Sequence, residues 1–283
     1  MRLSRLKLIA VFFLTAILSA PLWGATTPLP GTLNYVEGKA TIGTEALDAK
    51  SIGSAQLQAG ESLATDLGRA EILLTPGVFL RLDRNTTVTM ISPSLTDTEA
   101  GIGRGRAMVE VDQIHKENNI RIEEGGATVE LLKTGLYDFD AERGQVRVFE
   151  GEALVQAGNQ EVKAAGGHEV DVRASGKLKT AKFDKKTDED DLYRFSSLRS
   201  RYLAQANAQA PQVYVSYGWW PAAGWWWNPW IGGYTFIPVA GVFYSPFGWG
   251  FYPTRIVVGA PFGYPRMAPA PMAAYRNFGF RRG

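Results

Sequence analysis

Arg69-Ala70-Glu71-Ile72-Leu73-Leu74-Thr75-Pro76-Gly77-Val78-Phe79-Leu80-Arg81-Leu82-Asp83 reads as two strands around a tight turn. Ala70, Ile72 and Leu74 alternate with Arg69, Glu71 and Leu73, and Val78, Leu80 and Leu82 alternate with Phe79 and Arg81. Successive side chains of a strand point to opposite sides of its sheet, so this period of two sets one buried face against another face. Thr75-Pro76-Gly77 between them supplies a preset φ and a residue tolerant of positive φ, the chemistry of a turn.

The same period continues outward from this pair. Ala107, Val109 and Val111 oppose Met108, Glu110 and Asp112; Ile120 and Ile122 oppose Arg121 and Glu123; Val129 with Leu131, Val146 with Val148, and Val170 with Val172 extend the series. Turn residues separate these runs at Asp83-Arg84-Asn85, Glu124-Gly125-Gly126, Arg143-Gly144 and Gly166-Gly167. Many short strands divided by such turns predict an all-β domain over residues 31–182. Within it Val36-Glu37-Gly38-Lys39-Ala40-Thr41-Ile42 echoes Phe149-Glu150-Gly151-Glu152-Ala153-Leu154-Val155, which suggests stacked, similar β-units. A sandwich and a short β-helix-like stack both satisfy this pattern.

Four stretches together resemble the FecR family: Leu57-Gln58-Ala59-Gly60-Glu61-Ser62-Leu63-Ala64-Thr65 running on to Arg69-Ala70-Glu71, Pro76-Gly77-Val78-Phe79-Leu80-Arg81-Leu82, Lys133-Thr134-Gly135-Leu136-Tyr137-Asp138-Phe139, and Val146-Arg147-Val148-Phe149-Glu150-Gly151-Glu152-Ala153-Leu154-Val155. The resemblance covers about Gly31 to Val172. It implies a FecR-like stacked β-domain of interaction type. Iron-uptake members of the family join such a periplasmic domain, through one membrane span, to a cytoplasmic anti-sigma segment. Here about seven residues precede the first hydrophobic run, so the expectation is an exported β-domain without direct control of a sigma factor.

Arg2, Arg5 and Lys7 precede the apolar run Leu8–Leu18, and small or turn-forming residues follow to Ala25. These are the parts of a secretory signal peptide, placed at residues 1–24. Eleven helical residues span about 16 Å, short of the roughly 30 Å of a hydrocarbon core, so a cleaved leader is favoured over a retained anchor. The expected location is the periplasm or the cell surface. The absence of cysteine excludes disulfides, thiolate metal sites and a cysteine nucleophile. With 30 basic and 28 acidic residues in 283, the chain is no polyelectrolyte for nucleic acid.

That near balance hides an asymmetry. Residues 211–283 contain no Asp, Glu or Lys, but five Arg, 11 Gly, 10 Pro, 21 aromatic residues and seven of the eight Trp. So many prolines forbid long helices and central strands, and so many rings disfavour a solvated coil. The segment is read as an irregular Gly/Pro/aromatic-rich tail, with Val213–Tyr217, Tyr234–Ile237 and Ile256–Val258 as short strands. Its candidate binding surface is Trp219, Trp220, Trp225, Trp226, Trp227, Trp230 and Trp249 with Arg255. Stacked rings suit cell-wall glycan, and rings with arginine suit a membrane surface; packing of the rings on the rest of the protein is the competing use. Before the tail, Leu192, Phe195, Leu198, Tyr202 and Ala206 mark one face of an amphipathic helix over residues 187–207, with Ala206–Pro211 as linker.

Chemistry is sparse. His115 and His168 stand apart with no second histidine nearby, so neither a metal site nor a Ser-His-Asp arrangement is expected. Asp138 and Asp140 share one strand face at acid–base spacing, but solvated acids opposite an inward Tyr137 and Phe139 explain them equally. Gly101-Ile102-Gly103-Arg104-Gly105 leads into a strand and therefore lacks the helix N-terminus of a phosphate loop. No cofactor is expected. The sequence reads as a non-enzymatic envelope binding or scaffold protein whose β-domain faces an envelope protein or cell-wall glycan. The alternatives are a membrane-anchored signalling component of FecR type and an envelope enzyme acting on polysaccharide.

Overall fold

The computed structural model describes residues 28–115, 117–215 and 223–254. The leader, Trp219, Trp220, Arg255 and Ile256–Val258 lie outside the described residues.

Two sheets form the β-domain, and the chain visits them by turns. β1 (Leu33–Glu37) starts the first sheet; β2 (Ala40–Ile42), β3 (Glu45–Ala46) and β4 (Ser62–Thr65) start the second. β5 (Arg69–Leu73) and β6 (Val78–Leu82) return to the first, and β7 (Thr87–Pro93) and β8 (Asp97–Arg104) to the second. β9 (Arg106–Val111) joins the first, β10 (Asn119–Glu124) and β11 (Ala127–Leu131) the second, and β12 (Gly135–Asp140) and β13 (Gln145–Glu150) the first. β14 (Glu152–Ala157) and β15 (Gln160–Ala165) complete the second sheet, and β16 (His168–Asp171) and β17 (Thr180–Lys182) the first.

The eight-stranded first sheet has the order β1-β5-β6-β9-β12-β13-β16-β17; the nine-stranded second runs β3-β2-β4-β7-β8-β10-β11-β14-β15. Both grow along the chain, apart from the small β2–β3 hairpin, so the stack advances like a solenoid. Among the described residues its pairs are antiparallel except β8 with β10, which makes it a sandwich of stacked hairpins rather than a parallel β-helix. Ile72, Leu80, Val109, Tyr137 and Val148 of the first sheet meet Leu63, Val88, Ile122, Val129 and Val155 of the second in one buried core.

The internal echo of the sequence marks where the chain crosses between sheets. Gly38 carries β1 into β2 and Gly151 carries β13 into β14, with φ of 66° and 99°. A Cβ on Gly151 would lie 2.3 Å from the Tyr137 hydroxyl, so both conformation and space require glycine there.

α1 (Asp191–Val215) lies on the outer face of the first sheet. Asp190 caps it, its carboxylate accepting the amides of Leu192 (3.0 Å) and Tyr193 (3.1 Å). The helix starts later than expected from 187 and runs through the stretch read as linker, taking in Val213–Val215. Ala206, Asn207 and Ala210 are buried there, so packing holds those turns although Pro211 removes one helical donor. The buried face also differs from the apolar period: Leu192, Ser196, Arg199, Ser200, Leu203 and Asn207 face inward, whereas Leu198 and Tyr202 are exposed. Glu71 and Glu110 of the sheet draw in Arg199 and Ser200, and backbone groups of Phe236 and Tyr252 draw in Asn207.

Beyond the helix, β18 (Gly224–Asn228) pairs with β19 (Gly233–Ile237), and β20 (Phe243–Tyr244) with β21 (Gly250–Phe251). Tyr234, Phe236 and Phe251 pack with Leu203 and Ala204 of α1 and with Leu73 and Phe79 of the sheet. Among the described residues no helix is long and apolar enough to cross a membrane.

Candidate functional site

The outer faces of the two sheets differ in kind. On the second sheet outward residues alternate with core residues and meet water. Arg121 sits across from Glu130 and donates to Asp97 at 2.7 Å and Glu99 at 2.6 Å, while Thr128 lies across from Gln156. Nothing among the described residues forms a second layer over this face.

On the first sheet several of the corresponding positions are charged yet sealed, among apolar neighbours such as Phe79, Met108 and Phe149. Glu71, Arg81 and Glu110 lie within three adjacent strands, and all are fully buried. Arg81 donates to Glu71 Oε2 at 2.6 Å and to Glu110. α1 completes the set: Arg199 donates to Glu71 Oε1 at 2.9 Å and the Ser200 hydroxyl to Glu110 at 2.6 Å. Asn34 of β1 donates to Glu71 at 2.8 Å and bonds both the amide and the carbonyl of Tyr234, at 2.6 and 3.0 Å. Two carboxylates thus face two guanidiniums. Burial alone would raise the Glu71 pKa, but Arg199 and Arg81 overcome it and hold it at about 2. Asp112, just beyond β9, is pushed well above the ordinary aspartate value by burial and then by Glu110.

A second cluster ties the segment before α1 to the sheet. Arg106 grips Asp138 through both oxygens at 3.0 Å and also pairs with Asp190. Arg147 donates to Asp138 at 3.1 Å and to Glu169 at 3.1 Å. Asp138 and Asp140 are therefore buried beside guanidiniums rather than solvated, although Tyr137 and Phe139 do point into the core. Each aspartate has arginine within reach, at hydrogen-bond distance for Asp138 and 3.8 Å for Asp140. This arrangement holds charge and offers no paired acid and base to a substrate.

The candidate tail residues divide. Trp225 packs edge-on against Phe79 at 5.3 Å and Trp227 against Tyr234 at 5.1 Å; Trp226 is buried with Ala210 and Ile237, and Trp249 lies under Arg201. Trp230, at the hairpin tip, is 80% exposed. His115 contacts Gln113 and His168 the carbonyl of Ala165, far apart in the chain. Gly101–Arg104 are part of β8. Sequence reasoning missed the buried charges on β5, β6 and β9. Their signal is present as a charged residue flanked by apolar ones inside each of these strands, with Glu71 directly opposite Arg81.

Residues 61–154 match the family model of the FecR protein, so the sandwich contains a FecR domain. The match runs from the start of β4 into β14. Two crystal structures of a candidate anti-sigma factor from Parabacteroides distasonis are similar in shape. One shares 15% identity over 45% of this chain and 63% of that chain, with a TM-score of 0.39. The other shares 14% over 44% and 60%, with a TM-score of 0.38. The chain thus spans less than two thirds of the length of these relatives. Among curated proteins none matches.

Proposed function

We propose that this is an exported, non-enzymatic interaction protein of the cell envelope. Its FecR domain presents the open face of the second sheet to an envelope protein, while α1 and the aromatic hairpins close the opposite face. The observation that supports this reading is the contrast between the two faces. One carries hydrogen-bonding and charged side chains open to water, and the other has its charges neutralised within the chain. In this reading the described tail is a packing element, and among the described residues Trp230 and Tyr244 are the tail rings left to touch glycan or membrane. The family match also favours a signalling role of FecR type, in which the bound envelope protein is the source of the signal.

The test is capture of a specific envelope protein by the full chain and by the face variant Thr128→Arg/Gln156→Arg. Loss of the partner with an unchanged thermal midpoint supports the assignment. Equal capture by both forms removes the open face from consideration. Mass spectrometry of the exported protein should find an N-terminus near Ala25; an intact Met1 would favour an anchored signalling component.

A further inference from the structure

Three turns meet at one rim of the sandwich and border an open cleft of about 600 Å³. They are the turn after β6, the crossing from β8 to β9, and the turn after β12. The volume is that of a small-ligand site. Every cation on its wall is an arginine, although lysines are plentiful elsewhere on the surface. Arg106 forms the fixed base, held by Asp138 and Asp190.

The other three guanidiniums are under-engaged. Arg84 forms no salt bridge among the described residues, its charge acting on Asp191 only at a distance. Arg104 and Arg143 are about two-thirds exposed (67% and 68%) and approach Glu142 and Asp140 only at 3.8 Å, beyond hydrogen-bond range. The acids on the wall already have partners. Asp83 accepts from Arg69 at 2.9 Å, Asp140 from the Arg143 amide at 3.1 Å, and Glu142 from the Gly105 amide at 3.2 Å. Three arginines from three turns therefore line one opening with donors to spare. A ligand with one or two free oxygens could engage only one of these forks at a time. A tetrahedral dianion brings enough charge and enough oxygens to engage several forks at once.

We propose that this rim cleft binds a ligand bearing phosphate groups, through Arg84, Arg104 and Arg143. The site is separate from the open sheet face, and its test is independent of that reading. The phosphate could belong to a soluble anion or to a lipid headgroup, so the full chain is titrated with pyrophosphate by calorimetry at low salt and sedimented with vesicles containing phosphatidic acid, a lipid phosphomonoester. Expected is saturable one-site binding that weakens with salt and falls at least tenfold in Arg84→Gln/Arg104→Gln/Arg143→Gln. Binding of pyrophosphate alone assigns a soluble source. Vesicle binding absent with phosphatidylcholine and lost in the triple variant assigns a headgroup. Should the triple variant lose its thermal transition, the single variants Arg104→Gln and Arg143→Gln carry the same expectation of weaker binding. Absence of saturable binding to both probes, or equal binding by the variants, overturns the proposal.

Discussion

Arg199 of α1 donates to Glu71 of β5 at 2.9 Å across 128 positions of sequence, with the two side chains only 6% and 0% exposed. The same guanidinium lies over the ring of Tyr35 at 4.3 Å. One side chain thus joins the helix to two strands of the first sheet. Removing one member of a buried ion pair leaves the other desolvated and under-compensated, at a cost of about 3–5 kcal/mol.

Arg199→Met keeps most of the stem and deletes the charge. We expect a loss of about 3 kcal/mol in urea unfolding. Glu71→Gln added to it should recover part of that loss. Additive losses in the double variant would mean that the pair is not coupled.

The pH dependence has two limbs with opposite signs. The folded pKa of Glu71, about 2, is below its unfolded value, so its contribution is complete above about pH 4.3 and disappears as pH falls toward 2. Glu124 behaves in reverse. Burial first, then Asp138 and Asp140, push it up to about 8, and among the described residues neither of its oxygens has a hydrogen-bond partner. Between about pH 4.3 and 8 the unfolded chain releases this proton while the folded chain keeps it, so Glu124 erodes stability as pH rises. Glu124→Gln should therefore stabilise the protein at pH 8 by a few kcal/mol, on the order of 2–4, and leave it unchanged near pH 4. Urea midpoints at both pH values check this; a destabilised variant at pH 8 would contradict it.

Asn34 is the link between β1 and the aromatic hairpin, since its amide satisfies both backbone groups of Tyr234. Asn34→Leu leaves those groups and part of Glu71 without partners, at about 1–3 kcal/mol each. The expected readout is a red-shifted tryptophan emission with faster proteolysis between α1 and β21, at protein concentrations where the FecR domain stays folded. Unchanged emission would show that ring packing alone holds the hairpin.

Gly151→Ala adds a Cβ against the Tyr137 hydroxyl at 2.3 Å in a left-handed backbone. The expected loss is about 2 kcal/mol or more. Pairing it with Tyr137→Phe should return some of the loss, because the hydroxyl oxygen is the atom struck. Thermal melts of the two single variants and the pair measure this.

Much of the sandwich is legible in its sequence because one face of each strand enters a common apolar core. Val109 and Ile122 declare their strands at once, since period two and burial coincide there. The second layer is harder to read. Glu71, Arg81 and Glu110 occupy positions that alternation assigns to water, and Arg199 and Ser200, about 90 to 130 residues later, close over them. The helix misleads for the same reason: tracking apolar residues selects Leu198 and Tyr202, whereas the buried stripe follows the polar residues that meet buried carboxylates and carbonyls. The aromatic segment states that rings must be covered without stating by what. The rim cleft escapes notice altogether, since its arginines are scattered over 60 positions and only the turns bring them together.

Because both sheets add strands in chain order, assembly can proceed vectorially, each new hairpin settling on a platform already made. The exception is the last layer, which returns to β1 through a contact spanning 200 positions, from Tyr234 to Asn34. A chain that stops before α1 would show Glu71, Arg81, Glu110 and Phe79 on an open sheet, a surface both charged and sticky. The C-terminal layer is therefore the part of the chain that turns this face from surface into interior, and only the finished molecule hides it.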